Sequence, residues 1–284
     1  MEAEFVAGRP HPGLAGCVAG YSGYREHSTQ PLRRRQAPTG SCTLILGFGG
    51  PIRLHGPAGP TVPAAFLAGI HDAAIITEFT GHQHGVQVNL SPLGVFRLLG
   101  RPLPELTNCA PHLDELAVPA LAALPDRLAD TSTWAQRFAH VDTVLLRLLD
   151  ATTVRPDPEV AWAWTRLERS GGRVTVRELA DGTGWSRRHL LTRFRDQIGL
   201  APKPAARVLR FRRASDLLVP GAGPGRPPAR RGIAEVAAEC GYTDHAHLVR
   251  EFHTLAGATP TQYIAEWNGT LIPLPYKPSS PIPA

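Results

Sequence analysis

Two stretches of the chain, 57 residues apart, carry side chains suited to reading a nucleic acid. In the first, Gly184-Trp185-Ser186 is followed by Arg187, Arg188, Leu191 and Thr192; in the second, Gly241-Tyr242-Thr243-Asp244 is followed by His245, Ala246, Val249 and Arg250. A guanidinium presents a planar fork of donors that matches O6 and N7 of guanine, and a leucine or threonine methyl fits against the methyl group of thymine. Arg207, Arg212 and Arg213 lie between the two stretches. Their chemistry suits phosphate oxygens, contacts that position a protein on a duplex without reading its sequence.

Such side chains work only if something presents them, and the surrounding residues describe what does. Val176 to Gly199 and Ile233 to Gly257 align at an offset of 57 through the turn and 58 beyond it, one residue being added after the turn: Leu179-Ala180 falls on Val236-Ala237, Leu190 on Leu248, Phe194 on Phe252 and Gly199 on Gly257. Each reads as a short helix, a tight turn at a glycine that tolerates positive φ, and a second amphipathic helix. Thr175 with Glu178 has the spacing of a capping box; Ser186, and Thr243 or Asp244, can cap the second helices. Pro202 to Val219 reads as a long helix with one apolar and one basic face. On one rigid connector, two such units could enter successive major grooves roughly 34 Å apart. A plain helical bundle explains one unit of this kind more readily than two in register.

These residues resemble the DNA-binding domain of the AraC/XylS family of transcriptional regulators. The resemblance rests on Ser186, Arg188, Leu190, Phe194, Gly199 and Pro202, then Arg210, Ala214, Leu217 and Leu218, and finally Gly241, Tyr242, Arg250, Phe252, Gly257, Thr259, Pro260 and Tyr263. It covers about 100 residues. The chain departs from the family pattern at Thr192, Ala205, Ala246 and Ile264, and in the long connection Pro220 to Gly232, whose Arg226, Arg230 and Arg231 suit either phosphate contact or a tolerated surface insertion. The resemblance implies a sequence-specific regulator with double-stranded DNA as its partner. It also implies an N-terminal domain that senses a small-molecule effector or mediates homodimerisation, and it leaves room for RNA polymerase as a further partner.

Charge distribution agrees with that division. The chain has 284 residues and a formal net charge of +6; residues 166–267 hold 17 Lys/Arg against 10 Asp/Glu, whereas residues 1–165 hold 12 against 14. A basic module joined to a near-neutral one fits nucleic-acid binding, although a solvated basic surface would look the same from charge alone. Cys17, Cys42, Cys109 and Cys240 form no CxxC pair and read as buried thiols of a reducing compartment. Neither a signal peptide nor an apolar run long enough to span a bilayer is evident, so the expected location is cytoplasmic, with no membrane partner.

The N-terminal half reads differently. Cys42 to Phe48, Ala74 to Phe79 and Gly85 to Leu90 are short β-branched runs separated by Gly/Pro clusters, the pattern of a small sandwich or barrel. Leu93 to Leu99, Pro119 to Leu128, Trp134 to Leu149 and Glu159 to Arg169 have helical spacing. The expected class is therefore α+β: a β-rich sensor domain over 1–155 with a helical part from about 93, a linking helix over 156–172, an all-α domain with two helix-turn-helix units over 173–267, and a Pro/Ser-rich tail over 268–284. Val86 to Asn108 also resembles a stretch of uncharacterised sensor domains in such regulators. His71, His82 and His84, with Glu78 or Asp72, invite a metal reading; unrelated histidines in a polar loop explain them more simply. No G-x-S-x-G, H-E-x-x-H or phosphate-cradling loop is present. Neither an enzyme nor a cofactor is expected. An enzymatic first domain, or a regulator acting only through protein partners, are the competing readings.

Overall fold

In the computed structural model, which describes residues 2–56, 59–219 and 231–269, the N-terminal half is built on one antiparallel sheet. Its strands are β1 (Glu2–Gly8), β2 (Val18–Gln36), β3 (Cys42–Gly47), β4 (Arg53–Gly56), β5 (Gly59–Thr61), β6 (Phe66–Ala68) and β7 (Ile75–Leu90). They run in the order β1-β2-β7-β3-β6, with β4 pairing with both β5 and β7. Two long strands hold the sheet together. The end of β7 pairs with the start of β2 and with β3; the start of β7 pairs with the end of β2 and with β4. A register shift between Ser28 and Leu32 separates the two halves of the β2–β7 ladder, the kind of irregularity that bends a strand.

Ala74–Phe79 and Gly85–Leu90, read from sequence as separate strands, are thus the two ends of one strand. The histidine-bearing stretch between them stays in the ladder, with His82 opposite His27 and His84 opposite Arg25. A polar run holds strand conformation when a partner satisfies its backbone groups, which no local pattern records. The same applies to β2, whose Ser28-Thr29-Gln30-Pro31 and Arg33-Arg34-Arg35 carry no strand signal.

Side chains along β3 and β7 alternate between two environments, as the pleat requires. Leu44, Leu46, Val86, Val88 and Leu90 join the main core, while Thr43, Ile45, Gln87 and Asn89 face a cavity on the other side. Helices α1 (Pro92–Leu99), α2 (Pro119–Ala122), α3 (Leu124–Ala129) and α4 (Trp134–Ala151) belong to the core side, α4 reaching β1 and α3 reaching β3. The sequence suggested one helix over Pro119–Leu128, and the chain makes two. Pro125 stands in the first turn of α3, where its missing N–H is harmless; inside one continuous helix it would delete a hydrogen bond.

The C-terminal half comprises α5 (Pro158–Arg169), α6 (Val176–Thr183), α7 (Arg187–Ile198), α8 (Pro202–Leu218), α9 (Ile233–Glu239), α10 (His245–Ala256) and α11 (Pro260–Gly269). The segment expected to link the halves is α5, which buries Val160, Ala163, Trp164 and Leu167 and packs against α6, α7 and α8. One contiguous set of buried side chains runs from the sheet through α4 and α5 to α10. Residues 220–230, with Arg226 and Arg230, and the tail from 270 lie outside the described residues.

Candidate nucleic-acid interface and sensor cavity

Local chemistry shapes each helix pair. Thr175 and Glu178 form a reciprocal capping box on α6: the Thr175 hydroxyl accepts from the Glu178 N–H at 3.2 Å, and a Glu178 carboxylate oxygen accepts from the Thr175 N–H at 2.7 Å. Gly184 and Gly241 turn the chain at φ of 70° and 75°, in the left-handed region where a Cβ would strain the backbone. Ser186 caps α7 and Asp244 caps α10, the latter accepting from the His247 N–H at 2.6 Å. Leu190 and Phe194, and their counterparts Leu248 and Phe252, are fully buried. Phe194 packs beside Trp164; Phe252 meets Phe211 at 4.7 Å between ring centres.

With those faces committed to the core, the opposite faces are open. Arg187, Arg188, Leu191 and Thr192 are all exposed on α7, and Leu191 is 39% exposed, unusual for a leucine flanked by core positions. On α10, His245, Ala246 and Arg250 are exposed and Val249 is half-buried. Glu251 does not engage Arg250; it pairs with Arg207 at 2.7 Å. His247 turns back to Thr243 and lies against Tyr242. Arg195, exposed on α7, was passed over in the sequence and extends the same basic surface.

The three connector arginines occupy different surroundings from those eight residues. Arg207 reaches Glu251 of α10, Arg213 reaches Glu239 of α9 at 3.2 Å, and Arg212 reaches Asp216 at 3.6 Å and the Thr39 carbonyl at 3.4 Å. Arg210 donates to the Gly172 carbonyl at 2.9 Å. The expectation of one apolar and one basic face on α8 is therefore corrected. Ala205, Val208, Leu209, Phe211, Ala214 and Leu218 are buried around much of its girth, and its arginines fan out to separate neighbours. A helix surrounded by α5, α7, α9, α10 and the N-terminal half has no wide free face to offer. Arg231, just beyond the connection, also pairs with Glu239.

The N-terminal half grips both units at one kind of point. The last carbonyls of a helix have no partner within it. At the end of α7, Leu103 N–H donates to the Asp196 carbonyl and the Thr107 hydroxyl to the Gly199 carbonyl, each at 2.8 Å. At the end of α10, Arg35 donates to the Ala256 carbonyl at 2.7 Å and also pairs with Glu266 of α11 at 2.9 Å. Arg35→Ala is expected to lower stability by about 1 kcal/mol and to raise amide exchange at the end of α10 and the start of α11. Unchanged exchange there would show that Arg35 carries no restraint.

Beside Arg35, the inner face of the sheet encloses a cavity of about 330 Å³. Tyr24, Ile45, Leu54, Phe66 and Ile75 form its apolar wall, and Tyr263 and Glu266 of α11 border it. His71 lines this cavity, whereas His84 packs on Phe48 and Trp134 on the far side of β7. Burial and the nearby Arg137 and Arg25 bring the His84 imidazole down to about 4. The three histidines therefore do not converge, and among the described residues no three His, Cys, Asp or Glu side chains are arranged to hold a metal. No helix among the described residues is long and apolar enough to cross a membrane.

Residues 179–266 match the family described as a helix-turn-helix domain. The C-terminal region is an AraC-type helix-turn-helix domain. Over 117 residues the chain is 32% identical to an uncharacterized HTH-type transcriptional regulator, YbfI, of Bacillus subtilis (strain 168); the match spans 39% of this chain and 39% of that relative. Among solved structures, the chain is similar to ToxT of Vibrio cholerae, at 11% identity and a TM-score of 0.48, over 87% of this chain and 97% of that one. It is also similar to the C-terminal domain of AraT, a response regulator from Geobacillus stearothermophilus, at 21% identity and a TM-score of 0.34, over 42% of this chain and 92% of that one. The AraC-type domain holds all eleven residues singled out in the sequence as DNA contacts; eight lie on the second helices of its two units and three on the connector.

Proposed function

We propose that this protein is a transcriptional regulator that binds a specific double-stranded DNA site through both helix-turn-helix units and responds to a small molecule held in the sheet cavity. One observation carries the DNA reading. Each unit buries its leucine and phenylalanine and leaves an exposed arginine on the opposite face of its second helix: Arg188 on α7 and Arg250 on α10. Arg187, Leu191, Thr192, His245, Ala246 and Val249 complete the base-reading set. Arg207, Arg212 and Arg213 are primarily structural in this reading, since each already serves a neighbour within the protein. The activity is one of binding, not catalysis. Small-molecule control is supported by the cavity itself, which is lined by sheet residues and by α11, the helix that follows the second unit.

The test is an anisotropy titration of the full chain against fragments from upstream of its own gene, at two salt concentrations with excess unrelated duplex. One fragment is expected to bind in a competitor-resistant manner, with an affinity that falls as salt releases the phosphate contacts. Footprints in two adjacent major grooves would support use of both units. Weak, salt-labile binding that is equal on every fragment would overturn sequence-specific recognition.

A further inference from the structure

The three consecutive arginines at the cavity, Arg33, Arg34 and Arg35, are each already neutralised. Arg33 pairs with Glu78 at 2.9 Å, Arg34 makes a two-pronged pair with the buried Glu26, and Arg35 pairs with Glu266 at 2.9 Å. A run of arginines in a ligand cavity ordinarily suggests an anion. Only the Arg34–Glu26 pair is buried; there an anion would have to displace Glu26 and leave its carboxylate buried without a partner, which is strongly unfavourable, whereas the Arg33–Glu78 and Arg35–Glu266 pairs lie toward the cavity's exposed rim. The one buried charge pair on the cavity is therefore neutralised before any ligand enters.

Its hydrogen-bonding capacity is not satisfied. Tyr24 and His71 line the cavity and are both more than nine-tenths buried, and among the described residues neither the Tyr24 hydroxyl nor His71 Nε2 has a hydrogen-bond partner; Arg34 Nε is likewise unpartnered, but its guanidinium is already held by Glu26 through the other two nitrogens. Tyr24 is opposite Gly85 in the ladder, and a Cβ on that glycine would stand 2.5 Å from the hydroxyl. The absence of a side chain at residue 85 is what admits the phenol. His71 Nδ1 lies 2.8 Å from the Gly69 carbonyl. A carbonyl can only accept, so Nδ1 carries the proton, and burial keeps the ring neutral by lowering its affinity for a second one. Nε2 is left as a lone acceptor. Burial likewise keeps the Tyr24 phenol protonated. The remaining lining mixes aliphatic and aromatic side chains with polar ones that bond to protein partners: Thr39 with Ser41, Thr77 with the Arg34 carbonyl, Gln83 with the Gly50 carbonyl, and the amides of Gln87 and Asn89 with each other at 2.9 Å.

We infer that the cavity takes a compact, uncharged, largely apolar molecule bearing a hydroxyl or N–H group that pairs with Tyr24 and His71, and that it excludes carboxylates and phosphates. This inference rests on the sensor reading above and names the ligand class for that site. The hydroxyl serves as donor to His71 Nε2 or acceptor from Tyr24, so one polar group on an otherwise hydrophobic ligand meets an otherwise unmet need.

The test uses the full chain and three probes of one shape: 2-naphthol, naphthalene and 2-naphthoate, titrated by calorimetry. 2-Naphthol is expected to bind about tenfold more tightly than naphthalene, the value of one buried hydrogen bond. 2-Naphthoate should bind on the order of a hundredfold more weakly than 2-naphthol, from the cost of burying an unpaired carboxylate. Tyr24→Phe and His71→Leu should each shrink the preference for 2-naphthol over naphthalene while leaving naphthalene binding near its original strength. Ala68→Phe, which adds a ring at the cavity wall, should weaken both. Binding of 2-naphthoate as strong as that of 2-naphthol would overturn the ligand class while leaving a sensor cavity. Binding of none of the three probes, by a chain that still binds its DNA fragment, would overturn the cavity as a sensor site.

Discussion

Arg188→Ala and Arg250→Ala are each expected to weaken binding to the specific DNA site by about 1–3 kcal/mol, roughly five- to 150-fold, and to change binding to unrelated duplex far less. Both side chains are exposed on the outer faces of α7 and α10. Glu251, the acidic residue next to Arg250, is occupied by Arg207 instead. Among the described residues neither guanidinium has an internal partner, so no bond is surrendered before it meets a base and its full fork is available. Arg207→Ala is the informative contrast. Its guanidinium is already committed to Glu251, so its removal should lower the stability of the second unit and leave the preference among DNA sequences unchanged. Anisotropy titrations with the specific and a scrambled duplex at two salt concentrations separate these effects. Equal losses on both duplexes for Arg188→Ala and Arg250→Ala would reduce those arginines to phosphate contacts.

Glu26→Ala is expected to destabilise the protein by about 3–5 kcal/mol. The carboxylate is buried in the sheet, 4% exposed, and Arg34 opposite it is largely buried as well. Without Glu26 the guanidinium keeps its charge in a place water scarcely reaches, and its Nε already lacks a partner. The penalty comes from that orphaned charge more than from the lost attraction. The double replacement Glu26→Leu with Arg34→Met should therefore recover most of the loss, since apolar groups of similar volume often equal or exceed a buried pair in stability. Urea denaturation of the two variants measures the difference. A double variant no more stable than Glu26→Ala would show that packing, rather than the uncompensated charge, sets the penalty.

Much of the DNA-binding region was legible because its determinants are local. A capping box spans four residues, a turn needs one glycine, and the pairs Leu190/Phe194 and Leu248/Phe252 are one helical turn apart. The repeat, with a single added residue after the turn, made each unit corroborate the other. The class of the N-terminal half was also legible, from the β-branched runs at Cys42–Phe48 and Gly85–Leu90. Strand extent was not: β2 and β7 run through polar and proline-bearing stretches that are strands only because each supplies the other with hydrogen bonds.

What the sequence by itself determined is the architecture of two helix-turn-helix units and the side chains they hold outward, because spacing along a helix decides which residues face the core and which face away. Only the tertiary structure decided what the remaining charges do. Arg35 and Glu266 are 231 residues apart in the chain, Arg207 and Glu251 are 44 apart, and nothing in their local sequence pairs them. The cavity, its paired arginines and its unsatisfied polar groups arise where strands and helices distant in sequence meet. Ion pairing and enclosure depend on distances in space, and those exist only once the chain has folded.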